Sequence, residues 1–70
     1  MDNSHAADFA HCQKALPLLR MEMDSTPDGF VAKLILGEVP CYGAAAATED
    51  DAIGNALMAA ELDGWPLPEP

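Results

Sequence analysis

His5, His11 and Cys12 are the residues of this chain whose types most readily suggest chemistry. Imidazole and thiolate groups hold zinc when they converge at short, regular spacings. Here the two histidines fall on different faces of a helix, and no second ligand cluster follows. A cysteine nucleophile needs a neighbouring base and a lowered pKa. His11 directly precedes Cys12 and so points elsewhere on a helix, and the surrounding negative charge favours the thiol over the thiolate. Twelve Asp and Glu residues supply carboxylates in number. Acid–base catalysis, however, needs a pocket that drives two pKa values apart, and a cavity of ~300 Å3 or more is hard to build in so short a chain. The stretch "DSTPDGF" lacks the spaced ligands and terminal glutamate of a calcium loop. Glu49, Asp50 and Asp51 offer at most a weak hold on Mg2+ or Ca2+. The expectation is a non-enzymatic protein with no cofactor and no resident metal.

Charge is the remaining chemistry. Twelve acids stand against three cations, Lys14, Arg20 and Lys33, for a formal net charge of −9 over 70 residues. Self-repulsion on that scale works against a compact state, and a chain this size buries only ~60% of its unfolded surface. The balance excludes direct binding to nucleic acid or to an anionic membrane, because the chain has too few cations to neutralise phosphates. A basic protein surface is the natural complement. Half of the residues are apolar, which is enough for one core and too many for a disordered acidic tail. No apolar run is long enough to span a membrane, and "MDNSHAADF" has neither the basic nor the apolar region of a signal peptide. A cytoplasmic protein of a bacterial host is expected. Two cysteines do not make a disulfide framework, so Cys12 and Cys41 read as small core residues.

The elements that position these groups are legible in the periodicity. "NSHAADFAHCQKAL" places Ala6, Phe9, Cys12 and Leu16 at helical spacing, with Asn3 or Ser4 as cap and Pro17 as stop. In "LLRMEMDS" the apolar Leu19, Met21 and Met23 alternate with Arg20, Glu22 and Asp24, the mark of a strand with one wet face. "TPDG" has turn chemistry. "FVAKLILG" is a second strand with Phe30, Ala32, Leu34 and Leu36 on one face and Val31, Lys33 and Ile35 on the other. Gly37-Glu38 suits a type II′ hairpin. "VPCYGAAAA" continues as a third strand, with Pro40 requiring an edge or a bulge. "ATEDDAIGNALMAAEL" is a helix capped by Thr48, with Asp51 approximating a capping box and Ile53, Ala56, Leu57 and Ala60 as its apolar stripe. Gly54 costs that helix ~1 kcal/mol and calls for close backbone packing. Gly64 ends it and Pro66 prevents its resumption. The expected architecture is one α+β domain over residues 1–70, helix-strand-strand-strand-helix. A three-stranded antiparallel meander is covered on one face by two helices, and residues 65–70 form an extended tail.

The acids are then divisible by cause. Glu49, Asp50 and Asp51 at a helix N-terminus are stabilised by the dipole, ~0.3–1 kcal/mol each. Asp24, Asp28, Glu38, Glu61, Asp63 and Glu69 lie in turns and at ends where that help is absent or reversed. Charge placed against the local rule points to another demand, solubility or binding.

The run from "RMEMDSTPDGFVAKL" through "VPCYG" to "TEDDAIGNAL" resembles the HicB antitoxin domain, with Pro40, Cys41, Thr48, Asp50, Asp51, Ala52 and Asn55 matching. It departs from that pattern in having no glycine between Pro40 and Cys41, alanines before the threonine, and an extra N-terminal helix. The element order is also similar to a double-stranded-RNA-binding domain, but there the last helix opens with lysines, and here it opens with acids. In size and charge the chain resembles phage-encoded anti-CRISPR proteins, several of which mimic the charge of DNA. That resemblance implies an inhibitor of a CRISPR effector (Cascade-type) that blocks target DNA binding. Its expected partner is a basic nucleic-acid-binding protein, its expected state a monomer or weak dimer, and its contact residues Glu49, Asp50 and Asp51 with Asp24, Asp28 and Glu38. The HicB resemblance implies instead an antitoxin covering a small toxin ribonuclease. A phage structural or assembly protein that uses Trp65 and the "PLPEP" tail is a further reading.

Overall fold

The computed structural model describes residues 4–68. Their order is α1 (His5–Ala15), β1 (Leu19–Thr26), β2 (Gly29–Leu36), β3 (Val39–Tyr42) and α2 (Glu49–Leu62). The strands form one antiparallel sheet in the order β1-β2-β3, so the α+β meander expected from the periodicity is the fold. Asn3 and Glu69 lie outside the described residues; Ser4 caps α1, accepting from the Ala7 N–H at 3.2 Å.

Both hairpin loops have two residues. Thr26 pairs with Gly29 around Pro27-Asp28, and Leu36 with Val39 around Gly37-Glu38. Gly37 has φ +66° and Glu38 is not at positive φ, as a type II′ turn requires. Thr26 closes the first turn twice: its hydroxyl donates to Gly29 O at 2.8 Å and accepts from the Asp28 N–H at 3.2 Å.

One face of the sheet carries Leu19, Ala32, Leu34 and Cys41, all buried, and both helices lie on it. α2 contributes Ala52, Ile53, Ala56 and Ala60, and α1 contributes Cys12. The small side chains let the helix backbone approach the sheet closely, and Gly43 marks the nearest point. A Cβ there would meet the backbone N of Ala56 at 2.4 Å. α1 sits to one side, beside α2. Cys12 is its sole buried residue, with Phe9 and Leu16 half-buried. Ala6, expected in the apolar stripe, is exposed because the first turn of α1 lies beside α2 rather than over the sheet. Ala52 joins the α2 stripe and Leu57 is only half-buried.

The third strand is shorter than "VPCYGAAAA" suggests, ending at Tyr42. The Gly43 N–H still donates to Ala32 O at 3.0 Å, and Ala46 exchanges two bonds with Phe30. Ala44 and Ala45 thus oppose Val31 alone, which is a bulge. Asn55 donates from Nδ2 to the Ala44 carbonyl at 3.0 Å and ties this bulge to α2. Pro40 occupies the free edge of β3, where a missing donor costs no ladder bond.

α2 ends in a Schellman motif. The Trp65 N–H donates to Ala60 O at 3.0 Å and the Gly64 N–H to Glu61 O at 3.1 Å, with Gly64 at φ +86°. That turn folds Trp65 and Leu67 back onto the core.

Candidate functional site

The two helices run side by side in the same direction. His5 and Ala6 at the start of α1 meet Asp50 in the first turn of α2, and further along His11 and Cys12 share a groove with Leu57 and Glu61. Two helix N-termini, each carrying a positive partial charge, therefore lie together. Asp50 bridges them: its carboxylate accepts the His5 N–H at 3.2 Å and the Ala6 N–H at 3.0 Å. These bonds, His5 first, hold its pKa below the ordinary carboxylate value. On its own helix, the Asp51 N–H donates to the Thr48 hydroxyl at 3.1 Å. Asp8 stands in the first turn of α1, with Oδ2 3.6 Å from His5 Nδ1. The acid gathered at the start of α2 thus answers to two dipoles.

His5 has a packing role. Its ring lies against Gly54, where a Cβ would meet ring atoms at 2.7 Å. This accounts for a glycine inside a helix, while the His5 side chain keeps part of its surface in solvent. His5, Asp50 and Asp51 also bring one ligand atom each within 4.8 Å, the one such trio with metal-binding potential among the described residues. Both Asp50 oxygens are already accepting backbone donors, and two positive helix ends oppose a cation there. Sequence spacing gives no hint of this trio, because its histidine lies 45 positions from Asp50.

The chain's direction sorts the acids by end. β2 leaves the Pro27-Asp28 turn and arrives at Gly37-Glu38; β3 returns, and α2 begins again at the first end after Ala46 pairs with Phe30. Asp8, Asp28, Glu49, Asp50 and Asp51, with Asp24 near the end of β1, belong to that first end, which holds no Lys or Arg. Glu38 belongs to the opposite end, ~25 Å away along an eight-residue strand, with Glu61, Asp63, Lys14 and Arg20. Lys33 is at mid-sheet, 3.1 Å from Glu22 and 5.6 Å from the centre of the Tyr42 ring. Of the six expected contact residues, Asp24, Asp28, Glu49 and Asp51 share one end and are exposed. Asp50 is there too, engaged with α1, and Glu38 stands apart.

Both thiols are buried and unpaired with each other. Burial, then Asp8, pushes the Cys12 thiol up; burial, then Asp63, does the same to Cys41, whose Sγ lies 3.6 Å from Asp63 Oδ2. A raised thiol pKa is the reverse of what a nucleophile needs. The groove between the helices and the tail, lined by Asp8, His11, Cys12, Leu57, Glu61, Leu67 and Pro68, encloses 130 Å3, well under the ~300 Å3 of a small-molecule site. No helix among the described residues is long and apolar enough to cross a membrane.

The fold and the site together define a small two-layer α+β domain with a strongly anionic end. Comparison with protein-family models, curated proteins and solved structures finds no match to the chain.

Proposed function

We propose that this protein is a non-enzymatic inhibitor that docks its anionic end on a cationic nucleic-acid-binding protein, in the manner of an anti-CRISPR acting on a CRISPR effector of the Cascade type. The observation that carries the reading is the segregation of charge. Among the described residues, six acids and no Lys or Arg occupy the end formed by the two helix N-termini and the β1–β2 turn. A one-signed patch steers a cationic partner at a distance and then occupies lysines and arginines that would otherwise contact phosphates. Glu49, Asp51, Asp28 and Asp24 are the contact residues. Asp50 contributes charge while holding α1.

The test is a DNA-binding assay of a Cascade-type effector with and without the protein, across a salt series. Wild type is expected to reduce DNA binding. The Glu49→Lys, Asp51→Lys double variant, which spares Asp50, is expected to lose that effect and most of its salt dependence. Equal inhibition by both would remove the anionic end as the contact surface.

A HicB-like antitoxin is the second reading, favoured by the Thr48 cap and the Asn55 tie to the bulge, since both residues carry that resemblance. Rescue of cells from a co-expressed toxin ribonuclease, with no effect on the CRISPR effector, would select it.

A further inference from the structure

The sheet has two free edges, and they are unequal. Phe30 and Ala32 direct their backbone bonds toward the β3 side, so in an antiparallel ladder Val31, Lys33 and Ile35 direct theirs toward β1. Their partners are Asp24, Glu22 and Arg20. The N–H and C=O groups of the intervening Leu19, Met21, Met23 and Ser25 therefore point out from the edge. Leu19 is already satisfied: its N–H donates to Leu16 O at 2.9 Å, and its carbonyl accepts Gln13 Nε2 at 3.0 Å. Met21, Met23 and Ser25 have no such partner among the described residues. The β3 edge is shorter and blunted by Pro40, one of the two residues there whose backbone faces outward. β1 has eight residues and no proline, the kind of edge on which another strand can add.

We infer that β1 pairs antiparallel with β1 of a second copy, making a continuous six-stranded sheet with Met21 opposite Met23 of the other copy and Arg20 opposite its Asp24. The free backbone groups and the charges together select this register. It gives four backbone bonds from the Met21 and Met23 pairs and two Arg–Asp pairs on the open face. Glu22 faces its own counterpart, but each Glu22 is held by Lys33 at 3.1 Å. A shift one way places Glu22 opposite Asp24 twice. A shift the other way also pairs Arg20 with Glu22, but Glu22 is already held by Lys33. It aligns the already satisfied Leu19 with Met23, leaving only the two backbone bonds of a Met21 pair. The net charge of −9 does not forbid the contact. Arg20, Glu22, Asp24 and Lys33 sum to zero on this face; Asp24 is where it meets the anionic end, and the other five acids of that end lie beyond it. Met21 and Met23, half-buried under a helix layer that leaves β1 thinly covered, gain cover from each other.

Sedimentation of the full chain from 10 µM to about 1 mM tests the inference, joined by cross-linking. Wild type is expected at twice the monomer mass at the upper concentrations. Arg20→Asp, an exposed change that should leave the fold's circular dichroism unaltered, is expected to weaken association at least tenfold; adding Asp24→Arg is expected to restore it. Glu22→Cys sits in a non-hydrogen-bonded pair with its own counterpart, Cα atoms ~4.5 Å apart, within disulfide reach. It is expected to give a linked dimer under mild oxidation where Ser25→Cys does not. A wild type that stays monomeric throughout overturns the proposal. So does a dimer indifferent to Arg20→Asp, or one in which Glu22→Cys fails to link.

Discussion

Gly43→Ala tests the packing that holds the anionic end in place. The added Cβ would lie 2.4 Å from Ala56 N, 2.7 Å from Ala56 Cα and 2.8 Å from Asn55 C. These are backbone atoms inside a helix and cannot rotate aside. Restoring ordinary contact requires α2 to retreat by about 1 Å, and a gap of that size forfeits roughly a quarter to a half of the dispersion energy across it. Ala52, Ala56 and Ala60, each fully buried, all lie along the surface that would lift. Overpacking costs ~1–3 kcal/mol, and with rigid atoms on the far side the upper figure applies. At ~4–8 °C per kcal/mol for a domain of this size, about 3 kcal/mol lowers Tm by roughly 12–24 °C. A domain of this length has ~4–10 kcal/mol in hand. Thermal and urea unfolding followed by circular dichroism would measure the loss. Adding Ala56→Gly should not restore stability, because the atoms in conflict are backbone. Gly37→Ala, with open space but φ +66°, should cost only ~1–2 kcal/mol through strain. A Gly43→Ala variant within ~0.5 kcal/mol of wild type would refute the direct seating of helix on strand.

Asp50→Asn should loosen the start of α1, read as faster amide exchange at His5 and Ala6, and should change the acid limb of stability. The folded pKa of Asp50 is lowered, so its contribution is present above the unfolded value and is lost as pH falls through the folded one. The variant should lack that part of the acid dependence and be less stable at pH 7; an unchanged pH profile would show that the bridge between helices carries no energy. Cys12 and Cys41, buried with raised pKa values, should resist a thiol reagent at pH 8 in the native state and react promptly in urea; rapid native labelling of either would contradict its burial.

Local rules reach far in this chain. Alternation in "LRMEMD", the glycine-first loop at Gly37, the Thr48 cap and the Gly64 stop each depend on a few neighbouring residues, and each stands in the fold as the sequence implies. The surplus of acid was equally plain. Its grouping was not legible, because Asp28 and Glu38 are ten positions apart in sequence and at opposite ends of a strand, while Asp8 and Asp50 are distant in sequence and at the same end. Tertiary structure alone decided that α1 and α2 lie parallel with their N-termini together. It also turned Asp50 into a cap for a helix other than its own, seated His5 on Gly54, and made the run after Tyr42 a bulge tied by Asn55. Periodicity fixes which face of an element is apolar. Direction and offset between elements come from where small residues let two backbones touch, and that is a property of pairs of distant segments.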